Sequence, residues 1–271
     1  MPLRSALINV MAGAARKAAR SLVRDFGEVE QLQVSKKGPA DFVSAADHRA
    51  EDVLHAALAT ARPGYGFLFE ERGAVAGDDP DNRWIVDPLD GTTNFLHGVP
   101  HFSISIALER KRELIAGVVY EPICDELFWA EKGAGAHMNH RRLRVSGHRG
   151  LEDSMFATGF RYTSKGDETV FLKQVGAVMS ATLNVRRLGS AALDLAYVAA
   201  GRFDGFWELN LNPWDMAAGI VLVREAGGFV NDFAGGHEML STGGIIAANA
   251  TVHAAFAELM RAATPPPGSH C

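Results

Sequence analysis

From Met1 to Gly27 the apolar residues Leu7, Val10, Met11, Ala14 and Ala15 recur at helical spacing while Arg16, Lys17, Arg20 and Arg24 occupy other faces, which predicts an amphipathic surface helix. A second helix follows Ser44, with Val53, Leu54, Ala57 and Leu58 on one face, and stops before the Pro63-Gly64 pair. Arg83 to Val86 reads as a short apolar strand that runs into acidic turn chemistry at Asp87. From Phe102 to Leu108 the period falls to two, because Phe102, Ile104, Ile106 and Leu108 alternate with Ser103, Ser105 and Ala107. A charged turn then leads into Ile115 to Tyr120, so the two runs make an antiparallel hairpin. Glu126 to Ala130 and Arg142 to Val145 continue that sheet, separated by Gly133 and Gly135.

The later part of the chain changes character. Helical patterns at Thr169–Ser180, Ser190–Ala200, Pro213–Ala226 and Val252–Ala262 alternate with short apolar strands at Asn184–Leu188, Phe203–Trp207, Phe229–Phe233 and Gly244–Ala248. The shift near residues 145–153 predicts two fused lobes: an N-terminal α+β lobe with an antiparallel sheet, residues 1–148, and a C-terminal α/β lobe, residues 149–263. Residues 264–271 (TPPPGSHC) have the composition of a disordered tail.

Composition agrees with a folded chain and narrows its partners. The 271 residues are 47% apolar and 22% charged, which excludes collagen, coiled coil and wholesale disorder. A net charge of −5 offers no general attraction to nucleic acid or anionic membrane, leaving only local patches to consider. No stretch approaches the roughly 20 apolar residues of a membrane span, and no apolar core of a signal peptide is present. Cys124 and Cys271 are too few and too far apart for a disulfide framework, which fits a reducing cytoplasm.

The densest chemical signal is Trp84 to Phe95, WIVDPLDGTTNF. Asp87 and Asp90 flank a Pro-Leu turn and can aim both carboxylates and an intervening carbonyl at one hard cation, a donor set that suits magnesium. Gly91, Thr92 and Thr93 then offer unhindered backbone N–H groups for phosphate oxygens if a helix begins there. The plainer reading is an ordinary turn, which Asp, Pro and Gly commonly build. Glu70 and Glu71 follow the apolar run Phe67–Phe69, and Asp41 and Asp47 stand around a helix start. Ser44 and Asp47 also match a capping box, and Pro213-Trp214-Asp215 matches a helix N-terminus, so each has a structural explanation.

The histidines add little, since no H-E-x-x-H occurs and His97 and His101 lie on a loop, where solvated or hydrogen-bonded rings are expected. No G-x-G-x-x-G, P-loop lysine or G-x-S-x-G elbow is present, which argues against dinucleotide, ATP-loop and serine-hydrolase chemistry. Arg187 and Arg202 could reach a phosphate but read as surface charges.

DPLDGTTNF after a strand and a Glu pair, with Trp214-Asp215 far downstream at a helix start, resembles the inositol monophosphatase family. The resemblance runs from Lys36 and DFVSAAD (Asp41–Asp47) through GVVYEP (Gly117–Pro122), KGAGA (Lys132–Ala136) and RRLGSAALDLAYVAAGRFDGFWE (Arg186–Glu208) to Gly227-Gly228. It implies an α/β (α+β) fold, a layered αβαβα sandwich of the inositol monophosphatase/fructose-bisphosphatase type, with the active site between the lobes. It also implies Mg2+-dependent hydrolysis of a phosphate monoester by in-line attack of water, with two or three ions per site.

By that resemblance Glu70, Asp87 and the carbonyl of Leu89 match one metal site, and Asp87, Asp90 and Asp215 a second, with a weaker third ion near Glu70. Thr92 and Asp47 would orient the water and take its proton, while the metal at Glu70 lowers its pKa. Gly91 and Thr92 N–H groups match the phosphate site. Asp90, Gly189, Ser190, Ala191 and Glu208 match the readers of substrate hydroxyls, and Lys36 would stand near the outer metal. A homodimer and lithium sensitivity follow from the same resemblance.

The chain departs from the pattern at two places. Phe69 stands where glycine usually precedes the Glu pair, and Asn212-Pro213 replaces small or polar residues before Trp214. Inositol 1-phosphate is the first expected substrate, with histidinol phosphate and fructose 1,6-bisphosphate as alternatives and 3′-phosphoadenosine nucleotides behind them. The haloacid dehalogenase motif D-x-D-G-T is excluded, because two residues, Pro88 and Leu89, separate the aspartates here. A different class of function is an interaction protein in a bacterial RNA-synthesis complex, for which Arg141, Arg142, Arg144, His148 and Arg149 would be the patch to test.

Overall fold

The structure, a computed structural model, describes residues 4–27, 34–36, 42–161 and 167–264. Helix α1 (Ala6–Phe26) starts where the Ser5 hydroxyl accepts the Ile8 N–H at 3.1 Å. Strands β1 (Val34–Lys36) and β2 (Phe42–Ser44) pair antiparallel, and α2 (Ala45–Ala61) follows. Next come β3 (Tyr65–Phe69), β4 (Gly73–Val75), β5 (Asp79–Asp90), the short α3 (Thr92–Leu96), β6 (Ser103–Arg110), β7 (Glu113–Glu121), β8 (Glu126–Glu131), β9 (Gly135–Met138) and β10 (Arg141–Arg142). The chain then adds β11 (Met155–Thr158), α4 (Asp167–Ala181), β12 (Asn184–Arg186), α5 (Ala191–Ala199), β13 (Gly205–Glu208), α6 (Pro213–Glu225), β14 (Phe229–Asn231), α7 (Met239–Thr242), β15 (Ile245–Ala248) and α8 (His253–Ala263).

Two sheets carry these strands. The larger has eight, in the order β10-β9-β8-β7-β6-β5-β3-β4, and the smaller five, in the order β12-β11-β13-β15-β14. Alternate residues of each strand face opposite layers. From the large sheet, Trp84, Val86, Ile106 and Val118 pack on α1 and α2, while Ile85, Ala107 and Val119 face α5 and α6. From the small sheet, Ala157, Phe206 and Ala247 face that same α5–α6 layer, while Phe156, Trp207 and Ile246 pack on α4 and α8 through Val178, Phe256 and Met260. The stacking is therefore α-β-α-β-α. Contact between α6 and the large sheet is close: a Cβ at Gly117 would lie 2.5 Å from the Ala218 carbonyl oxygen.

The structure corrects several expectations. The strand expected to end at Asp87 continues to Asp90, with a register shift between those two residues against β6. Pro88 and Leu89 are accommodated as an irregularity of the strand rather than ending it. The large sheet is not wholly antiparallel, because β3 and β5 run parallel. Ser103 and Ser105, which alternate with the apolar residues of β6, are buried as well, since helices cover both faces of the hairpin. Arg142–Val145 contributes only Arg142 to a strand, and the Gly133–Gly135 turn leads instead into β9, which pairs with β8. Strand β11 was not expected from the sequence.

The proposed tail lies outside the described residues except for Thr264, as do Lys37, Asp41 and Cys271. Lys36 is described only as part of the β1 backbone, and the Ser44 side chain, half of the expected capping box, is likewise outside.

Candidate active site

The site begins with strand pairing. In the parallel ladder of β3 and β5, Phe69 is partnered with Val86, so the next residue of each strand, Glu70 and Asp87, leaves at the same end of the sheet. Phe69 itself is fully buried, stacked on Phe67 at 4.9 Å, which anchors the start of the Glu70-Glu71 turn in the core. Beyond Asp87 the Leu89 N–H donates to Asp87 Oδ1 at 2.9 Å, and the Thr92 hydroxyl donates to the Leu89 carbonyl at 2.9 Å. Gly91 then takes φ +94°, and a Cβ there would meet the His101 carbonyl oxygen at 3.1 Å, so only glycine allows α3 to begin at Thr92.

Three other elements bring carboxylates to this point. Asp47 lies in the first turn of α2 and is buried. Asp215 stands in the first turn of α6, where its Oδ2 accepts the Asn212 N–H at 2.6 Å. The start of α6 is tethered to the large sheet by buried Ser105, which donates to the Trp214 carbonyl at 3.2 Å and pairs across the ladder with Asp87. Asp90 ends β5, and its Oδ2 accepts both the Ser190 hydroxyl and the Ala192 N–H, the latter at 2.8 Å. Glu208 ends β13, also buried.

So much negative charge in one place holds protons. Burial, then repulsion from Asp215, Asp47 and Glu71, pushes Glu70 well above the usual carboxylate range. Burial, with repulsion from Glu70, Asp90 and Asp215, does the same to Asp87. Asp90 is raised to about 6 by burial, against hydrogen bonds from Ser190, Ala192 and Ala191 that favour its charged form. Glu208 is raised by burial and by Asp215 and Asp90, with Arg187 and Arg161 opposing.

Chemistry favours a hard cation here. Glu70 and Asp87 lie within hydrogen-bonding reach of each other, a contact that two carboxylates sustain only by sharing a proton or a cation. The converging donors are carboxylate and carbonyl oxygens, without sulfur or imidazole. Among the described residues, no three or more acidic, histidine or cysteine side chains form a ready-made metal cage. The fit therefore rests on donor type and unneutralised charge.

A small cleft flanks the carboxylates, its lining including Gly159, Phe160, Arg161, Phe171, Gln174 and Asn210. Gly159 and Arg161 join it to the site. A Cβ at Gly159 would fall 2.1 Å from Glu208 Oε2, and Arg161 Nη1 is 4.0 Å from Asp215 Oδ2.

The remaining candidates sort by position. Gly189, Ser190 and Ala191 form the turn into α5 beside Asp90. Arg187 is exposed and sits in the field of Glu208, whereas Arg202 pairs with Glu126 at 2.6 Å and lies 4.6 Å over the Tyr197 ring, holding β8 to α5. His97 is exposed; His101 is half-buried edge-on to Tyr197, and its Nε2 has no hydrogen-bond partner. Of the basic patch, Arg141, Arg142, Arg144 and Arg149 are exposed, and His148 Nδ1 meets Asp204 at 2.9 Å.

Sequence reasoning missed Arg161, Gly159 and Glu51. Buried Glu51 accepts the Glu71 N–H at 2.9 Å and the Arg72 Nε–H at 2.9 Å, fixing the turn after Glu70. Its one local signal was a carboxylate four residues after Asp47, on the same face of α2.

Known proteins share this architecture. A family model described as the inositol monophosphatase family matches residues 3–264. An inositol-1-monophosphatase from Mesorhizobium japonicum is 59% identical over 258 residues, covering 95% of this chain and 97% of that protein. A Nus factor SuhB from Escherichia coli K12 is 45% identical over 255 residues, covering 94% and 96%. The crystal structure of the extragenic suppressor protein suhB from Bartonella henselae superposes with a TM-score of 0.92 at 55% identity, covering 95% of this chain and 99% of that one. With its motifs, its five layers and its clustered carboxylates in place, the chain belongs to the inositol monophosphatase family, whose members are metal-dependent phosphatases.

Proposed function

We propose that this protein is a Mg2+-dependent phosphate monoester hydrolase whose substrate is an inositol monophosphate, the 1-phosphate first. The convergence of Glu70, Asp87, Asp90 and Asp215 beside the Gly91-Thr92 turn carries the reading. The name of the relative at 59% identity supports the substrate.

Glu70, Asp87, Asp90, Asp215 and the Leu89 carbonyl would hold the ions. Bound magnesium would neutralise phosphate and leaving-oxygen charge and acidify water. The residues supply the rest. Thr92 donates its hydroxyl hydrogen to the Leu89 carbonyl at 2.9 Å, which leaves its oxygen free to accept from the attacking water. Asp47, buried nearby, takes the proton. Backbone N–H groups of Gly91 and Thr92 bind phosphate oxygens. Asp90, the Gly189–Ala191 turn and Glu208 accept or donate to ring hydroxyls, and a carboxylate facing two neighbouring hydroxyls orients a polyol.

Phosphate release from inositol 1-phosphate, histidinol phosphate, fructose 1,6-bisphosphate and 3′-phosphoadenosine 5′-phosphate tests the reading, with and without Mg2+ and beside Asp90→Asn. Mg2+-dependent preference for the inositol ester, lost in Asp90→Asn, is expected. No turnover of any ester by folded, Mg2+-loaded protein would sink it.

A second role is suggested by the Nus factor name of the relative at 45% identity and by the exposed Arg141, Arg142, Arg144 and Arg149. Retention of a cellular phenotype by Asp90→Asn, together with its loss when these arginines are replaced, is the expected signature of a binding function.

A further inference from the structure

Asn94 lies in α3, just past the proposed phosphate-binding residues, and has no part in the reaction described above. Its side-chain amide has two hydrogens, and both are used. Nδ2 donates to the His101 carbonyl at 2.8 Å and to the Leu188 carbonyl at 2.8 Å. The first acceptor belongs to the loop that returns into β6. The second lies far along the chain, immediately before Gly189, Ser190 and Ala191 at the start of α5.

The approach is close. Gly189 has φ +87°, and a Cβ there would stand 3.2 Å from Asn94 Nδ2, so a larger residue would push the turn off the amide. A second link runs beside the first, from the Ser190 hydroxyl and the Ala192 N–H to Asp90 Oδ2. The segment Asp90–Asn94 and the turn Leu188–Ala192 are thus tied at both ends of each. One tie uses Asp90, a proposed ion ligand; the other uses a neutral amide whose two hydrogens are both engaged by backbone carbonyls.

We propose that Asn94 is a positioning residue that sets the distance between the phosphate loop at Gly91-Thr92 and the hydroxyl-reading turn at Gly189–Ala191, and thereby favours polyol esters over simple monoesters. The inference rests on the proposed reaction. A substrate gripped by its phosphate at one segment can be read by its ring hydroxyls only if the other segment stands at a fixed separation. An amide suits this place because both partners are carbonyl oxygens and need donors. The isosteric carboxylate of Asn94→Asp would instead oppose lone pairs to both carbonyls.

The test compares kcat/KM for inositol 1-phosphate with that for 4-nitrophenyl phosphate, whose leaving group has no ring hydroxyls for the turn to read. In Asn94→Asp the ratio is expected to fall about tenfold, mostly through KM for the inositol ester. Asn94→Ser, which keeps one donor, should fall in between, and Mg2+ binding by calorimetry should match the unaltered protein. Equal losses on the two esters, or an unchanged ratio in a folded variant, overturns the inference. If Asn94→Asp does not fold, the ratio in Asn94→Ser decides. Failure of the unaltered protein to hydrolyse either ester counts against the proposed reaction itself; an active parent with an unchanged ratio counts against Asn94 alone.

Discussion

Glu70 and Asp87 are neighbours because their preceding residues, Phe69 and Val86, are partners in a parallel strand pair. The pairing delivers two acidic side chains to one sheet end, where burial and mutual repulsion raise both above the usual carboxylate range. An arrangement that strains the protein without a counter-ion is stabilised by whatever neutralises it. That trade has a measurable pH signature.

Asp90 titrates at about 6 in the folded chain against an ordinary 3.8, with burial as the main cause. A carboxyl raised by folding holds its proton more tightly in the folded state, so its contribution is full below the ordinary value and is lost as pH climbs through about 6. Glu70 and Asp87 act in the same direction. The Tm of metal-free protein should therefore fall between about pH 4 and about pH 6, and the rise in Tm on adding Mg2+ should grow over the same interval. A Mg2+ increment that is flat or shrinks with pH would contradict this account of the site.

Glu51 gives a test that leaves every proposed ion ligand in place. It holds the Glu71 N–H and the Arg72 guanidinium, and Arg72 also pairs with Asp52. Glu51→Ala removes the carboxylate that accepts the Glu71 N–H and should cost about 1–3 kcal/mol of stability. The Mg2+ concentration giving half of the thermal shift should rise roughly tenfold, as supporting residues typically produce. Glu51→Gln keeps an acceptor for Glu71 and should recover most of the Mg2+ response. Equal Mg2+ responses in all three proteins would remove Glu51 from the site.

These relationships explain what a reader of the sequence can and cannot see. DPLDGTT concentrates turn formers, carboxylates and small residues in one stretch, so its chemistry was visible locally. Helices α1, α2, α5, α6 and α8 were visible too, because long periodic runs carry their own signal. Partnerships across the chain were not. Nothing near Asn94 indicates Leu188, because that contact exists only once the two sheets share the α5–α6 layer, and nothing near Gly159 indicates Glu208, because β11 and β13 become neighbours only when the small sheet forms. Strand ends were misplaced for the same reason: β5 extends through Pro88 because β6 still pairs with Asp90. The Ser105 hydroxyl likewise finds its acceptor, the Trp214 carbonyl, only when α6 covers the sheet.

Gly159 leaves room for Glu208, the proposed reader of substrate hydroxyls. Glu208 lies so close over it that a Cβ would occupy the place of a carboxylate oxygen. Gly159→Ala should push the Glu208 carboxylate aside while leaving Glu70, Asp87 and Asp215 untouched. Inositol 1-phosphate turnover should drop at least tenfold, and 4-nitrophenyl phosphate turnover should change by less than about threefold. Parallel losses on both esters would show that Glu208 acts on the ion site rather than on the substrate ring.

Asp194 offers the last test, because it is buried in α5 and neither carboxylate oxygen has a hydrogen-bond partner. Burial raises it well above the ordinary value, with Glu208 and Asp90 adding repulsion. By the same sign rule, its contribution to stability is present while it is protonated and declines as pH rises through its raised value. Asn at this position carries no charge at any pH. Metal-free Asp194→Asn should therefore lose less stability than the parent as pH rises above the ordinary carboxylate value of 3.8, measured by denaturant midpoints at fixed ionic strength. Its absolute stability at low pH should be equal or lower, since the buried amide gains no partner there. Identical pH slopes would mean that Asp194 is already compensated by a bound group, and that the charge burden near Asp90 and Glu208 lies elsewhere.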